Sequence, residues 1–192
     1  MGLFLGAASA AAQPSFNCEK AGSDAEELIC ADERLSELDQ RLAQTYKTAV
    51  SAAENLDAGA DTALKNLRAS QRGWIKGRDE CWKADDLRTC IESSYLMREG
   101  VLVATWILQE PATIAAYSCE NNPANEVTAY FFDTELPGIR LEYGDGIKTG
   151  SLVPSASGAK YMTDFGGMFW TKGDTAQFAW TEGEVMNCLR TQ

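Results

Sequence analysis

The sequence predicts an α+β protein of two separate domains, a small disulfide-pinned helical bundle followed by a small antiparallel β-barrel. Apolar residues recur at helical spacing up to residue 110, and after Pro111 short β-rich runs alternate with turn residues. The 192 residues include six cysteines, an even number that suits disulfides. We therefore expect a helical domain at 13–110 and a barrel at 111–192, after a signal-peptide remnant at 1–12.

The N-terminal residues have the character of an export signal. Residues 2–8 are apolar or small, and 8–10 or 10–12 offers a small-x-small cleavage site, although no basic residue precedes the run. Residues 15–17, ahead of Cys18, are not the Leu-small-small sequence of a lipid anchor. No later run is long and apolar enough to span a bilayer. We expect a soluble periplasmic protein without membrane insertion or a lipid anchor.

Four helices are predicted in the first domain from capping residues and apolar stripes. Ser23, with Glu26 three residues later, is a capping-box pattern for a short first helix, and Asp32 can cap the second. Residues 55–59 break the second helix. The expected helices run from Ser23 to about Cys30, from Asp32 to about residue 55, from near Asp61 through Arg78, and from Asp85 or Asp86 to about Leu108.

Eight short β-rich runs are predicted after Pro111. Turn residues separate them at 121–123, 137–138, 144–146 and 182–184, and regular short strands with tight turns are typical of a small antiparallel barrel. The expected strands are 113–119, 126–132, 139–143, 147–153, 159–163, 168–171, 176–181 and 185–190.

The cysteines predict disulfides rather than a metal site. None lies in a Cys-x-x-Cys pair, so neither zinc nor a thioredoxin-like motif is expected. Sequence alone allows 15 connectivities, and bonds confined to each domain reduce these to three. Local spacings of 12 and 9 residues favour two short loops in the helical domain, and the third bond would close the barrel. The expected pairs are Cys18–Cys30, Cys81–Cys90 and Cys119–Cys188.

The charge and the missing histidine exclude several functions. A net charge of −11 argues against nucleic acid and anionic lipid as partners and favours a cationic partner. With no histidine, a Ser-His-Asp triad is impossible and the commonest metal ligand is absent. A Ser157 nucleophile with Lys160 or Lys172 as base has no supporting signature. We expect no catalysis, no cofactor and no metal.

Two segments of the predicted barrel have the composition of binding loops. Residues 155–159, Ser-Ala-Ser-Gly-Ala, carry little bulk and can enter a narrow cleft, and Tyr161 adds a rigid amphipathic side chain. Residues 172–174 form a hairpin signal in which Gly173 supplies a positive φ and Lys172 becomes an exposed cation. A position in the barrel core is the structural alternative for Tyr161 and, more strongly, for Trp170, and it stays open.

These segments resemble the paired motifs of the MliC/PliC inhibitors of c-type lysozyme, small β-barrels that Gram-negative bacteria secrete or anchor to lipid. The resemblance covers about 112–192. The matching residues are Ser155, Ser157, Gly158 and Tyr161 in the first motif, Thr171, Lys172 and Gly173 in the second, and the framing Cys119 and Cys188.

The resemblance implies a role for each motif in blocking the lysozyme groove. Ser157 and Lys172 would donate to the two catalytic carboxyl groups, and Tyr161 would pack at the groove or brace the loop. The other expected lysozyme-binding residues are Ser155, Gly158, Lys160, Thr171 and Gly173. One departure is the gap between the motifs, where Asp164 would weaken the Lys172 cation if the two lay close together.

The helical segment resembles the LprI-type N-terminal domain. The matches are Phe16-Asn17-Cys18, Ile29-Cys30-Ala31-Asp32, Leu35-Ser36-Glu37-Leu38-Asp39, Gln71-Arg72-Gly73-Trp74-Ile75, Arg78-Asp79-Glu80-Cys81, Cys90 and Tyr95. That family is associated with lysozyme inhibition. In this segment Trp74 is interpreted as core, and Arg72, Arg78 and Asp79 as surface or ion-pair residues.

The sequence as a whole predicts a periplasmic protein inhibitor of c-type lysozyme. Its acidic surface would steer a basic lysozyme toward the inhibitory loops at low salt. A non-catalytic module that binds peptidoglycan or another envelope component is the alternative, and it predicts wall binding without any effect on muramidase. A serine hydrolase is a third hypothesis, which labelling by a serine-directed phosphonate would test.

Overall fold

The computed structural model describes residues 12–191, so residues 1–11 of the predicted signal remnant lie outside the described residues. Four α-helices come first among these residues, and each predicted helix start lies within two residues of the observed one. Their bounds are Asp24–Ala31 (α1), Glu33–Glu54 (α2), Ala60–Asp79 (α3) and Leu87–Trp106 (α4), with single 3₁₀ turns at Cys18–Lys20, Glu80–Lys83 and Asp164–Gly166.

Side-chain caps start three of the four helices, as the sequence predicts. The Ser23 hydroxyl accepts a hydrogen bond from Glu26 N at 3.2 Å, and the Asp32 carboxylate accepts one from Leu35 N at 3.0 Å. Asp86 caps α4 in the same way by accepting from Thr89 N. Each cap satisfies a backbone donor that the helix itself leaves unpaired, and this fixes where the helix begins.

The bundle contains a buried polar network at its centre. The Tyr95 hydroxyl donates to Asp39 Oδ1 at 2.8 Å and accepts from Arg78 Nη1 at 2.9 Å. Arg78 is 4% exposed and also pairs with Asp79 at 2.7 Å. The interpretation of Arg78 as a surface charge is therefore wrong, whereas its ion pair is confirmed. Burial raises the pKa of Tyr95, which keeps the hydroxyl protonated.

Eight antiparallel strands then close into a barrel in simple chain order, β1 pairing with β8. Their bounds are Thr113–Cys119 (β1), Asn122–Phe132 (β2), Gly138–Tyr143 (β3), Gly146–Val153 (β4), Ala159–Thr163 (β5), Met168–Lys172 (β6), Thr175–Ala179 (β7) and Met186–Arg190 (β8). The largest error in the predicted strands is the start of β2. Glu120 and Asn121, with φ of 54° and 53°, form the turn, so Asn122 and Pro123 belong to the strand.

The barrel interior is apolar and aromatic. Alternate residues of each strand point inward, and Phe169 and Phe178 are fully buried with their ring centroids 6.5 Å apart. Tyr117 packs edge-on against Phe169 at 5.2 Å, and Tyr143 packs in the same way against Phe178. Within residues 12–191 this filled core leaves no internal cavity for a ligand, so binding groups lie at the barrel ends and on its outer face.

The three predicted disulfides are confirmed. Two close short loops in the bundle, and the third joins β1 to β8 across a sequence separation of 69 residues. The bonds are Cys18–Cys30, Cys81–Cys90 and Cys119–Cys188. None of the helices within residues 12–191 combines the length and apolarity needed to cross a membrane.

Helix α4 packs on the outside of the barrel. Gly138 of β3 lies so close to Gly100 that an added methyl group would sit 3.4 Å from the Gly100 carbonyl oxygen. Val103 packs beside Phe132 in a small apolar cluster that both halves share. In the β2–β3 loop the carboxylate of Glu135 bonds to two arginines of α2, Arg34 and Arg41, the latter at 2.9 Å.

Candidate functional site

The structure brings the two predicted binding segments together at one end of the barrel. The first follows β4 and leads into β5, and the second is the turn between β6 and β7. Strands β5 and β6 are neighbours, and Ala159 pairs with Thr171. Residues that are more than ten positions apart in the sequence therefore form one continuous surface.

Gly158 allows the first segment to rest against β6. Its φ is 68°, and an added methyl group would lie 2.2 Å from the Thr171 carbonyl oxygen and 3.2 Å from Lys172 Cβ. A real side chain never approaches a backbone oxygen this closely, so a larger residue would push the segment away from the turn. Gly158 therefore couples the positions of the two segments.

Hydrogen bonds hold the first segment in shape. The Trp170 indole N–H donates to the Ser157 carbonyl oxygen at 2.7 Å, and the Ser155 hydroxyl donates to the Gly158 carbonyl oxygen at 3.1 Å. Lys160 places its ammonium 5.5 Å from the centre of the Trp170 ring. Trp170 is half-buried and braces the segment from outside the barrel, so its interpretation as a core residue is wrong.

The second segment is a two-residue hairpin turn. Gly173 has a φ of 60° at its first position, which is typical of the tight turns that join twisted strands. The Thr175 hydroxyl donates to the Lys172 carbonyl oxygen at 2.9 Å, and the Thr171 hydroxyl contacts Tyr117 Oη at 3.3 Å. The Lys172 side chain is exposed and makes no ion pair within residues 12–191.

Tyr161 lies inside the barrel rather than at its surface. It is 6% exposed, and its ring centroid lies 5.7 Å from that of Phe131. Burial raises the pKa of the Tyr161 hydroxyl, and the charge of Asp133 raises it further. Of the two roles that the resemblance implies for this residue, bracing the loop from below is the one that its position permits.

Asp164 lies far from Lys172, so the expected weakening of the cation does not arise. Asp164 is in the connection between β5 and β6, and Lys172 is at the other end of β6. Five residues of strand separate the two ends by roughly 13 Å. Asp164 and Lys172 are close in sequence, but they lie near opposite ends of the same strand, β6.

Arg190 is a further cation at this end of the barrel. It lines an opening of about 460 Å³ together with Lys172, and its backbone N–H donates to the Asp174 carbonyl oxygen at 2.8 Å. Three of the five basic residues in 111–192, Lys160, Lys172 and Arg190, therefore belong to this end. The pairing of β8 with β1 brings Arg190 there, and only the barrel closure reveals it.

The chemistry of this surface suits the binding of hydrogen-bond acceptors. It offers hydroxyl and ammonium donors on a small, rigid projection. Within residues 12–191 no group of three or more histidine, cysteine or acidic side chains is arranged to hold a metal ion. Carboxylates are strong acceptors for donors of this kind.

Two family models match the chain in sequence order. The model described as "Lysozyme inhibitor LprI" matches residues 17–129, and the model described as "Membrane-bound lysozyme-inhibitor of c-type lysozyme", MliC, matches residues 117–187. The first match extends through the bundle and into β2. The second spans both segments of the candidate site.

Similar proteins include two from mycobacteria and one from a rhizobium. Proteins named Lipoprotein LprI in Mycobacterium bovis and Mycobacterium tuberculosis are 29% identical over 158 residues, which is 80% of this chain and 73% of theirs. A protein of Rhizobium meliloti named Uncharacterized protein R02472 is 37% identical over 76 residues, 36% of this chain and 55% of its own.

Proposed function

The chain belongs to the LprI lysozyme-inhibitor family and carries an MliC domain, and from this premise we propose that it inhibits c-type lysozyme by inserting the barrel end into the active-site groove. Both domains support a lysozyme inhibitor. The observation that carries the groove-blocking mechanism is the contact between the Gly158 segment and the Lys172 turn, which presents both as one rigid projection.

The chemistry of the partner fits this projection. A lysozyme cleaves its glycan with two carboxyl groups that flank the scissile bond. Lys172 has no carboxylate partner within residues 12–191, so its ammonium keeps its donors for a carboxylate of the enzyme. Ser157 lies beside it with a hydroxyl that donates over a short reach. Charge-assisted hydrogen bonds of this kind are about twice as strong as neutral ones.

Rigidity contributes to the proposed affinity. The Trp170 indole and the Ser155 hydroxyl already hold the segment in its observed shape, so little conformational entropy is lost on binding. The net charge of −11 favours approach to a basic enzyme and makes association faster at low salt.

The proposed location is the periplasm. Three disulfides and no free cysteine within residues 12–191 suit an oxidising compartment. The division into domains at 110 and 111 falls between α4 and β1, and we propose it as the boundary between the LprI-like and MliC-like parts. The soluble, unanchored state stays a prediction, since the mycobacterial relatives are named lipoproteins.

The proposal is tested by titrating the purified chain against a c-type lysozyme that clears a suspension of bacterial walls. We expect stoichiometric loss of lysis. Lys172→Ala should weaken inhibition by roughly 30-fold or more, because it removes the charge that faces the catalytic carboxyl groups. Ser157→Ala should weaken it by roughly tenfold.

Two exposed positions on the bundle supply matched controls. Lys76→Ala removes an identical charge and Ser51→Ala an identical hydroxyl, and neither should alter inhibition. Full inhibition by both barrel variants would contradict the proposed contact. Binding to the wall suspension with no effect on lysis would instead support the envelope-binding alternative.

A further inference from the structure

A polar groove runs across the outer face of the barrel beside the Lys172 turn. The strand register aligns three outward side chains in one row, Trp170 on β6, Gln177 on β7 and Asn187 on β8. A second row contains Lys172, Thr175 and Leu189. Between them lies a depression of about 520 Å³, within the range of small-ligand sites.

The far wall of the groove is the β1–β2 turn, which a side-chain contact holds in place. Glu120 has a φ of 54°, an uncommon value for a glutamate. Its Oε1 accepts from Asn187 N at 2.6 Å and from Asn187 Nδ2 at 3.4 Å. The turn is therefore tied to β8, and the groove has a fixed width rather than a mobile edge.

The groove offers hydrogen-bonding groups that its own fold does not use. The side-chain amides of Asn121 and Gln177 are exposed and bond to no other group within residues 12–191. Each amide carries both a donor and an acceptor. An amide pair of this kind matches the acetamido group and hydroxyls of a sugar, which also combine donors and acceptors.

Apolar surface in the groove lies next to these amides. Trp170 lies between Lys160 on β5 and Gln177 on β7, and its indole forms one wall of the groove. Leu189 is 54% exposed on the second row. Sugar rings have apolar faces edged by polar groups, and an aromatic surface flanked by amides suits them.

The charge balance favours a neutral ligand. Glu120 and Lys172 are the two charged side chains of the groove, one at each side, and they cancel. Glu120 would repel a strongly acidic ligand, and Lys172 would repel a strongly basic one. The other side chains that line the groove are uncharged, and they are either polar or apolar.

From this arrangement we propose that the groove binds a neutral oligosaccharide that bears acetamido groups. The sugar rings stack on Trp170, and Gln177, Asn187 and Asn121 hydrogen-bond to the acetamido and hydroxyl groups. Ser157 and Lys172 line one edge of this groove, which therefore borders the proposed lysozyme contact. The side chains that would hold the sugar, Gln177 on β7 and Asn187 on β8, are not among the proposed lysozyme-binding residues, so the proposal does not depend on inhibition.

The probe for this site is a neutral trimer of N-acetylglucosamine, titrated without lysozyme into the full ¹⁵N-labelled chain and followed by NMR. At roughly 10 mM even a millimolar Kd gives nearly full occupancy. We expect shifts of the Trp170 indole N–H and of the Gln177 and Asn187 backbone amides. Gln177→Ala and Asn187→Ala should each weaken binding by roughly fivefold to tenfold.

A maltotriose titration tests whether the acetamido groups are recognised, and we expect weaker binding because this trimer lacks them. Asn66→Ala, which removes an exposed amide on α3, should leave binding unchanged. No shift with either sugar, or shifts confined to another face, would overturn the proposed site. Equal binding of both trimers would overturn the assignment of acetamido recognition.

Discussion

In the helical bundle Asp39, Arg78, Arg98 and Glu99 are buried, whereas Ser151 is the single buried polar residue of the barrel within residues 12–191. The bundle is thus organised around a charged network and the barrel around aromatic packing. Buried charges stabilise a fold only when their partners are in place. An apolar core instead leaves the polar groups of the barrel for its ends and its outer face.

The difference explains where binding groups occur. In the bundle, Arg78 and Tyr95 form a hydrogen bond with each other, and both have structural roles. In the barrel, Lys172 and Ser157 lie on loops at a rim that a packed core and a closed sheet hold rigid. Loops on a rigid scaffold are common positions for recognition.

The barrel should depend on its disulfide more than the bundle does on either of its own. Replacing Cys119 and Cys188 by alanine opens a loop of 69 residues, for which the chain-entropy model gives about 4 kcal/mol. The same change at Cys81 and Cys90 opens nine residues and should cost about 2.6 kcal/mol. Urea unfolding of both double variants measures the difference, and equal losses would contradict the prediction.

Gly158 should be far less tolerant of substitution than Gly173. Gly158→Ala combines a φ of 68° with a clash against the Thr171 carbonyl oxygen, so we expect a loss of up to about 3 kcal/mol and weaker lysozyme inhibition. Gly173→Ala has a similar φ of 60° but open space around it, and should cost about 1 kcal/mol. Gly158→Ala introduces both a steric clash and backbone strain, whereas Gly173→Ala introduces strain alone. Unfolding and inhibition assays compare the two variants, and equal losses would argue against the contact between Gly158 and Thr171.

Removing one hydroxyl from each interior compares the two cores directly. Tyr95→Phe leaves Asp39 and Arg78 without their shared partner and should cost about 2 kcal/mol. The Tyr161 hydroxyl makes no hydrogen bond within residues 12–191, so Tyr161→Phe should change the free energy of unfolding by less than about 0.5 kcal/mol. A cost at Tyr161 as large as that at Tyr95 would show that the barrel core also depends on polar contacts.

The contact between bundle and barrel should weaken in acid. Hydrogen bonds from Arg34 and then Arg41 lower the pKa of Glu135 below its ordinary 4.5. A lowered folded-state pKa gives stability above the ordinary value, and this is lost as the pH falls through the folded value. Glu135 is largely exposed, so its contribution is below about 1 kcal/mol.

Glu135→Gln should therefore reduce stability at about pH 6, and this difference should shrink as the pH falls below the ordinary pKa of 4.5. Thermal unfolding across this range measures the effect. Glu110→Gln, an exposed position near the junction, provides the matched control and should show no such trend. A constant difference between Glu135→Gln and the parent chain at all pH values would contradict the ion-pair explanation.

Local signals predicted most of the fold. Ser23, Asp32 and Asp86 each cap a helix because a short polar side chain precedes an apolar stripe. The domain-confined cysteine pairing is confirmed at all three bonds. The sequence predicts the β1–β2 turn at 121–123, whereas the turn lies at Glu120 and Asn121, since Glu120 adopts a positive φ that its residue type does not favour.

The features that sequence missed depend on contacts between distant residues. Glu135 meets Arg34 across 101 positions, and nothing in either neighbourhood predicts that pair. The burial of Tyr161 stays open at the level of sequence, because it depends on which face of β5 is turned inward. The bracing role of Trp170 depends on a loop that folds over it. The paired loops themselves were predicted, while the groove beside them emerges only from the strand register.

In the proposed complex Lys172 faces a catalytic carboxyl group of lysozyme, and a double-mutant cycle measures this contact. Calorimetry would compare binding of the parent chain and Lys172→Ala to lysozyme and to a lysozyme in which one catalytic carboxyl group is an amide. We expect a coupling energy of at least about 1.5 kcal/mol for one of the two carboxyl groups. Effects that add within about 0.5 kcal/mol for both groups would contradict it.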